Sequence, residues 1–248
     1  MKYFTQKWYK DTITAEICFQ MRKDDRAAKF SEKFYTKLYN SQKAWFVKHL
    51  KRVAKHGKVA FDLAAAEAEF EANYQENLDY IRSVLPEEIL EKVADVRVLA
   101  LGVADYDILM TVTRFCGEVN RRCRQVYEDY TEATEAVAEK MGWFKINSLE
   151  KLENAPIVSL LPDGNGNCIL ITSPEITEIS CKLSLLGADI STEVHAVQGD
   201  VIRHYELLLN GENYEFSMLL EKPDGNLTEF TATVRDLEIE ELPIPDNK

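Results

Sequence analysis

Proline is nearly absent from the first half of this chain: of seven, only Pro86 falls within residues 1–142. Proline interrupts helices, so that stretch is free to build long ones. Cysteine is scarce and unpaired. Cys18, Cys116, Cys123, Cys168 and Cys181 are odd in number and never form a CxxC, so neither a disulfide framework nor a zinc ribbon is indicated and buried thiols in a reducing compartment are the simplest reading. Nowhere do 18 apolar residues run together, so a membrane-crossing helix is excluded. The opening residues 1–9 lack the apolar run and small-residue cleavage site of a secretory signal, and a cytoplasmic location is expected. No GxSxG, P-loop, GxGxxG or HExxH occurs, which argues against the common enzyme classes but not against a site assembled from distant residues.

What is present is sorted along the chain. Residues 1–60 carry 15 Lys and Arg against 5 Asp and Glu, whereas the remaining 188 carry 15 against 37, so a basic segment precedes an acidic one. Composition changes again near Gly142. Nine of eleven tyrosines precede it, while six prolines, six glycines and repeated turn signals follow it. The expected fold class is α+β, with an N-terminal antiparallel helical bundle of long helices in residues 1–142 and an antiparallel β-sheet, meander or sandwich, in residues 143–248.

Leu109, Cys116, Cys123, Tyr130 and Val137 recur every seven residues, with Val112, Val119, Val126 and Ala133 between them, so one long helix is expected over 104–141 with this seam buried. A second helix is expected over 27–56, with Phe30, Phe34, Leu38, Trp45, His49 and Val53 near one face and Gly57 as its left-handed cap. A third covers 62–84, a short one begins at Pro86-Glu87-Glu88, and the β-branched stretch 96–103 is expected to be extended or turn-like. Strands are expected at 157–161, 168–172, 176–186, 191–198, 201–209, 214–221 and 227–240, the last bulged at Arg235-Asp236.

Met1-Lys2-Tyr3-Phe4-Thr5 with Trp8-Tyr9, the stretch from Leu85-Pro86-Glu87-Glu88-Ile89-Leu90 to Leu101-Gly102, and Tyr205-Glu206, Glu229-Phe230 and Asp236-Leu237-Glu238-Ile239 together resemble an uncharacterised bacterial family of unknown function. The resemblance spans most of the chain and implies no reaction. Such relatives open the strand region with Leu-His-Asp, where this chain has Leu152-Glu153-Asn154, and a His-Asp chemistry at that position is then lost here.

A two-residue loop at Gly199-Asp200 would set His195 opposite His204 and Glu193 opposite Glu206, a group able to ligate zinc or another divalent metal or to titrate near neutrality. The bland reading is the wet face of a half-buried sheet, opposite Tyr205, Leu207 and Leu209. Asp163-Gly164-Asn165-Gly166-Asn167 resembles the start of a calcium loop, but Cys168 and Pro174 stand where its glycine and glutamate belong, so a glycine-rich hairpin turn is the better reading. His49 and His56, two turns apart, are too distant to share an ion unaided. Lys29, Lys33 and Lys37, and then Lys48, Lys51, Arg52 and Lys55 beside Tyr35, Tyr39 and Trp45, raise the question of nucleic acid. The expected answer is internal compensation by Glu67, Glu69, Glu71, Glu76 and Asp79 of the next helix, or an ordinary solvated face, leaving nucleic acid disfavoured. The function expected is a non-catalytic protein-binding or adaptor module without a cofactor; the alternative is a metal-dependent hydrolase using His195, His204, Glu193 and Glu206.

Overall fold

The computed structural model describes residues 1–15, 21–172, 180–190 and 198–242. The protein is α+β, a helical region followed by a seven-stranded antiparallel sheet. The longest helix ends at Met141, beside Gly142 where the composition changes, but two short helical segments follow it and the sheet begins only at Ala155. The compact units divide elsewhere: one comprises Met1–Asp11 with Arg121–Lys248 and the other Thr12–Asn120.

The helical unit holds β1 (Arg22–Lys23), α2 (Glu32–Gly57), α3 (Leu63–Val84), α4 (Glu87–Leu90), α5 (Val96–Ala100) and β2 (Val103–Ala104). Its helices start where side chains satisfy free amides. Ser31 Oγ accepts from Phe34 N, Asp62 Oδ1 from Ala64 N and Ala65 N, and Asp95 Oδ1 from Arg97 N. Residues 96–100 are therefore helical, correcting the expected extended stretch; only Val103 and Ala104 are strand, pairing in parallel with Arg22 and Lys23. The left-handed residue after α2 is Lys58 (φ 55°) rather than Gly57. The buried core of this unit joins Leu38, Phe70, Tyr74, Leu78, Ile81, Leu99, Val112 and Cys116.

Two helices belong to both units. α1 (Gln6–Ala15) and α6 (Tyr106–Met141) each cross a unit boundary along their length. The heptad row of α6 is its buried face: Val112, Cys116, Val119, Cys123 and Val137 are buried, and Tyr130 is partly so. The four described cysteines are buried; Cys18 lies outside the described residues. Among the described residues no helix is long and apolar enough to cross a membrane.

In the sheet unit, α7 (Trp143–Ser148) and a 3-10 turn (Leu149–Leu152) lead into β3 (Ala155–Pro162), β4 (Cys168–Thr172), β5 (Ser180–Leu186), β6 (Val201–Asn210), β7 (Asn213–Glu221), β8 (Leu227–Val234) and β9 (Asp236–Leu242). Their order is β8-β7-β6-β3-β4-β5-β9. β8 and β9 are one path broken at Arg235, whose N–H bonds to Leu186 O, and the path lies on both edges of the sheet. The sheet thus curls back on itself, and its inner face is filled by Ile157, Leu170, Leu183, Leu185, Ile202, Leu207, Phe216, Met218 and Phe230. Residues 191–197 of the expected strand 191–198 and the start of 176–186 lie outside the described residues, and Gln198 is in a turn. The 163–167 segment is a hairpin turn. Asp163 Oδ1 accepts from Asn165 N and Asn167 N, and its pKa is lowered first by the Asn167 amide bonded to the carboxylate and then by the Asn165 N–H.

Candidate functional site

The site grows from a kink in β6. Pairing with β7 slips between Ile202 and His204, so Arg203 is an extra residue. A bulge re-aims the side chains beyond it. Tyr205 and Leu207 then face the core, and His204 and Glu206 face the opposite side.

That opposite side is not the wet face expected from alternation. The first residues of the chain cover it, and the physical reason is Glu206. Its carboxylate is 1% exposed and accepts three successive backbone N–H groups, from Lys2 at 2.8 Å, Tyr3 at 2.7 Å and Phe4 at 2.5 Å. Charge-assisted bonds of this kind are about twice as strong as neutral ones, and together they fix the path of the N-terminal segment. The α-amino group of Met1 pairs with Glu229 at 2.6 Å beside them. Phe4 is thereby buried, and Trp8, one helical turn on, is anchored through its indole N–H to Cys123 O at 3.1 Å.

His204 sits among these rings. Trp8 meets it edge-on at 4.8 Å between centroids, Phe4 at 5.5 Å and Tyr9 at 5.9 Å. Its Nδ1 lies 3.2 Å from Glu153 Oε1. Glu153 is placed by the end of the 3-10 turn. Asn154 after it takes a left-handed conformation (φ 60°), which Asn tolerates, donates its N–H to Ile202 O at 2.7 Å and accepts from Arg203 Nη1 at 2.9 Å. Arg203 continues to Glu221 at 2.7 Å, so the strand entry and the bulge hold each other in register.

The result is a cavity of about 230 Å³ lined by Phe4, Trp8, Tyr127, Tyr130, Tyr205, His204, Glu150 and Glu153. Five aromatic side chains and two carboxylates border it. The Tyr205 hydroxyl is pushed well above its ordinary pKa, by burial first and then by Tyr130, Glu153, Glu150 and Tyr127. Tyr130 is also raised, again chiefly by burial, and its hydroxyl accepts from Leu207 N at 3.2 Å. Such a cavity suits a cation, attracted by ring faces and by the two acids. At roughly 300 Å³ and above, drug-sized ligands need more room than this, so the fit is a side chain or a small ammonium group. A larger cavity of about 390 Å³ in the helical unit has its two amides engaged, Gln42 on Leu101 O and Asn77 on Ala100 O.

The candidate metal group fares differently member by member. Glu193 and His195 lie outside the described residues. His204 is engaged by Glu153 and Glu206 by three backbone amides, so the two described members do not converge. At Val201 and Ile202 both edges of β6 are occupied, by β3 and β7. Among the described residues no three His, Cys, Asp or Glu side chains gather to hold a metal. Glu153, Trp8 and Phe4 were not read as site residues. The signal for Glu153 was its place in Leu152-Glu153-Asn154, at the mouth of the strand region. No family model matches this chain, and neither a curated protein nor a solved structure does.

Proposed function

We propose that this protein is a non-catalytic binding module whose His204–Glu153 pocket takes a cationic side chain, lysine or arginine, of a protein partner. The observation that carries the reading is the pairing of five aromatic residues with Glu150 and Glu153 around a cavity of side-chain size. Ser, Thr and Cys are absent from the described lining, so His204 with its orienting carboxylate has no adjacent nucleophile to activate. The metal-dependent hydrolase alternative asks Glu206 to release three amides, that of Phe4 buried and those of Lys2 and Tyr3 partly so, at a cost of about 1–3 kcal/mol for a buried donor left unsatisfied. Cysteines that are few, odd in number and buried support a cytoplasmic setting, and the bacterial family resemblance belongs to the same proposal.

Trp8 reports on the test in a Trp45→Phe/Trp143→Phe background, which leaves it the single tryptophan of the chain. Capped lysine and arginine peptides titrated into the protein are expected to change its fluorescence saturably, with glutamate peptides inert and Glu153→Gln weakening the response about tenfold. A response equal for cationic and anionic peptides, or one unaffected by Glu153→Gln, would refute the reading.

A further inference from the structure

The helical unit carries a second charged feature that the pocket does not use. Between Glu32 and Asp62 there is no acidic residue, while Lys33, Lys37, Lys43, Lys48, Lys51, Arg52, Lys55 and Lys58 supply eight positive charges. Compensation by α3 or an ordinary solvated face was expected, and the register allows compensation only along the first half of α2. α2 and α3 run antiparallel, with Tyr35 meeting Tyr74, Tyr39 meeting Glu71 and Lys43 meeting Glu67. The acids of α3 therefore lie beside the first half of α2. Beside its second half comes the start of α3, Leu63-Ala64-Ala65-Ala66, with no acid but the capping Asp62. Among the described residues Lys43 forms the one ion pair of this stretch, and Lys48, Lys51, Arg52, Lys55 and Lys58 are all exposed without one.

The rings on this half-helix face outward too. Trp45 is 66% exposed, and its indole stacks on His49 at 5.5 Å between centroids and 12° between planes. Trp45, His49, Arg52 and His56 recur at i, i+4, i+7 and i+11, one stripe of a helix, and Lys48, Lys51 and Lys55 flank it. A ridge of flat π-faces beside a rail of ammonium groups is the combination that single strands recognise, bases stacking and phosphates pairing. The acidity of the whole chain is a weak objection. The helical unit has 16 Lys and Arg against 17 Asp and Glu, so the excess of acid belongs to the other unit. A membrane surface fits less well, because the apolar side of α2, Leu38 and Phe46, is committed to the unit's own core rather than offered to lipid.

We propose that residues 45–58 of α2 form a binding surface for single-stranded nucleic acid. Fluorescence anisotropy of the full chain with a labelled 12-nucleotide oligo-U or oligo-dT tests it. Binding is expected at low salt, weakening with a log–log slope of about −3 for four or five phosphate contacts. Lys48/Lys51/Arg52/Lys55→Gln is expected to weaken binding at least about 30-fold and flatten the slope. Trp45→Ala should weaken it about 5-fold or more with the slope kept, as befits a lost stacking face. Trp45→Phe should restore most of that loss, and Lys92→Gln, elsewhere on the unit, should do nothing. Circular dichroism of each variant confirms that the helices persist. Absence of binding at low salt, equal binding by the wild type and the four-residue variant, or binding to phosphatidylserine vesicles but not to the oligomers would each overturn the proposal.

Discussion

The sheet unit and the helical unit handle charge in opposite ways. The sheet unit is the acidic one, with 14 Lys and Arg against 25 Asp and Glu, yet at its centre the acids are engaged: Glu206 by three amides, Glu229 by an amino group, Glu221 by Arg203, Glu153 by His204. The helical unit is almost balanced in total and leaves the lysines of a half-helix without an ion pair among the described residues. Net charge therefore says little about which surface meets a partner. What decides is whether the register of neighbouring elements brings the opposite charge within reach, and α3 delivers its acids to the wrong half of α2.

The largest test of this contrast is Glu206→Ala. Removing a buried carboxylate leaves three N–H donors without an acceptor, and a loss of about 3–5 kcal/mol is expected in urea unfolding. Because the same carboxylate fixes Phe4 and Trp8, the cationic-peptide response of Trp8 should vanish with it. Wild-type-like stability would mean that the N-terminal segment is held by its ring contacts alone. In the helical unit the comparable residue is Arg97, which bonds Asp95 twice and Glu32 and lies 4.1 Å over the Tyr35 ring. Arg97→Gln strands the buried Asp95, and about 2 kcal/mol is expected, less than for Glu206 because Arg97 itself is partly exposed.

Glu153→Gln separates binding from stability within the sheet unit. Both Glu153 and His204 are partly exposed, so the pair is worth under about 1 kcal/mol to folding, while cationic-peptide affinity falls about tenfold. A variant that unfolds early instead would place Glu153 among the structural acids with Glu206.

Much of the fold was legible because it rests on periodicity. The heptad row of α6, the strands at 168–172, 201–209 and 214–221 and the break at Arg235 all follow from which residues must be buried together. The basic helix was legible in extent but not in facing. Trp45, His49 and Val53 fall near the apolar stripe by spacing, yet all three are exposed, because α3 approaches from the side of Leu38 and Phe46. The covered outer face of β6 was hidden for a different reason. Alternation reports one strand and its own core, whereas Glu206 is buried by a segment some 200 residues away in sequence. His204 was singled out, and its partner Glu153 was not, since the two meet only through the bulge at Arg203.

Alkaline titration compares the units through their tyrosines. Tyr39 in the helical unit is pushed up to about 12, by burial first and then by its bond to Glu71. A group whose folded pKa is raised contributes stability that is complete below its unfolded value near 10 and is lost as pH rises through the folded one. Absorbance at 295 nm should therefore show Tyr39, Tyr74 and Tyr205 ionising later than the exposed tyrosines, Tyr74 and Tyr205 being raised mainly by burial. A single transition near 10 for every tyrosine would contradict the packing of both units.

The smallest expected effect is also the sharpest. Lys48, Lys51, Arg52 and Lys55 touch no acid among the described residues and lie within a few turns of one another, so their mutual repulsion opposes folding slightly if it acts at all. Replacing all four by glutamine keeps the aliphatic stems and helix propensity close to those of lysine and arginine while removing four charges. Urea unfolding of that variant is expected to lie within about 0.5 kcal/mol of wild type, the range of ordinary surface substitutions, or slightly above it at low salt. A loss of 2 kcal/mol or more would mean that these lysines are compensated after all, and it would remove the reason to look for a polyanion on this helix. An unchanged midpoint in the variant that loses oligonucleotide binding would instead assign the cluster to a partner and not to the fold, the reverse of what Glu206 does in the sheet unit.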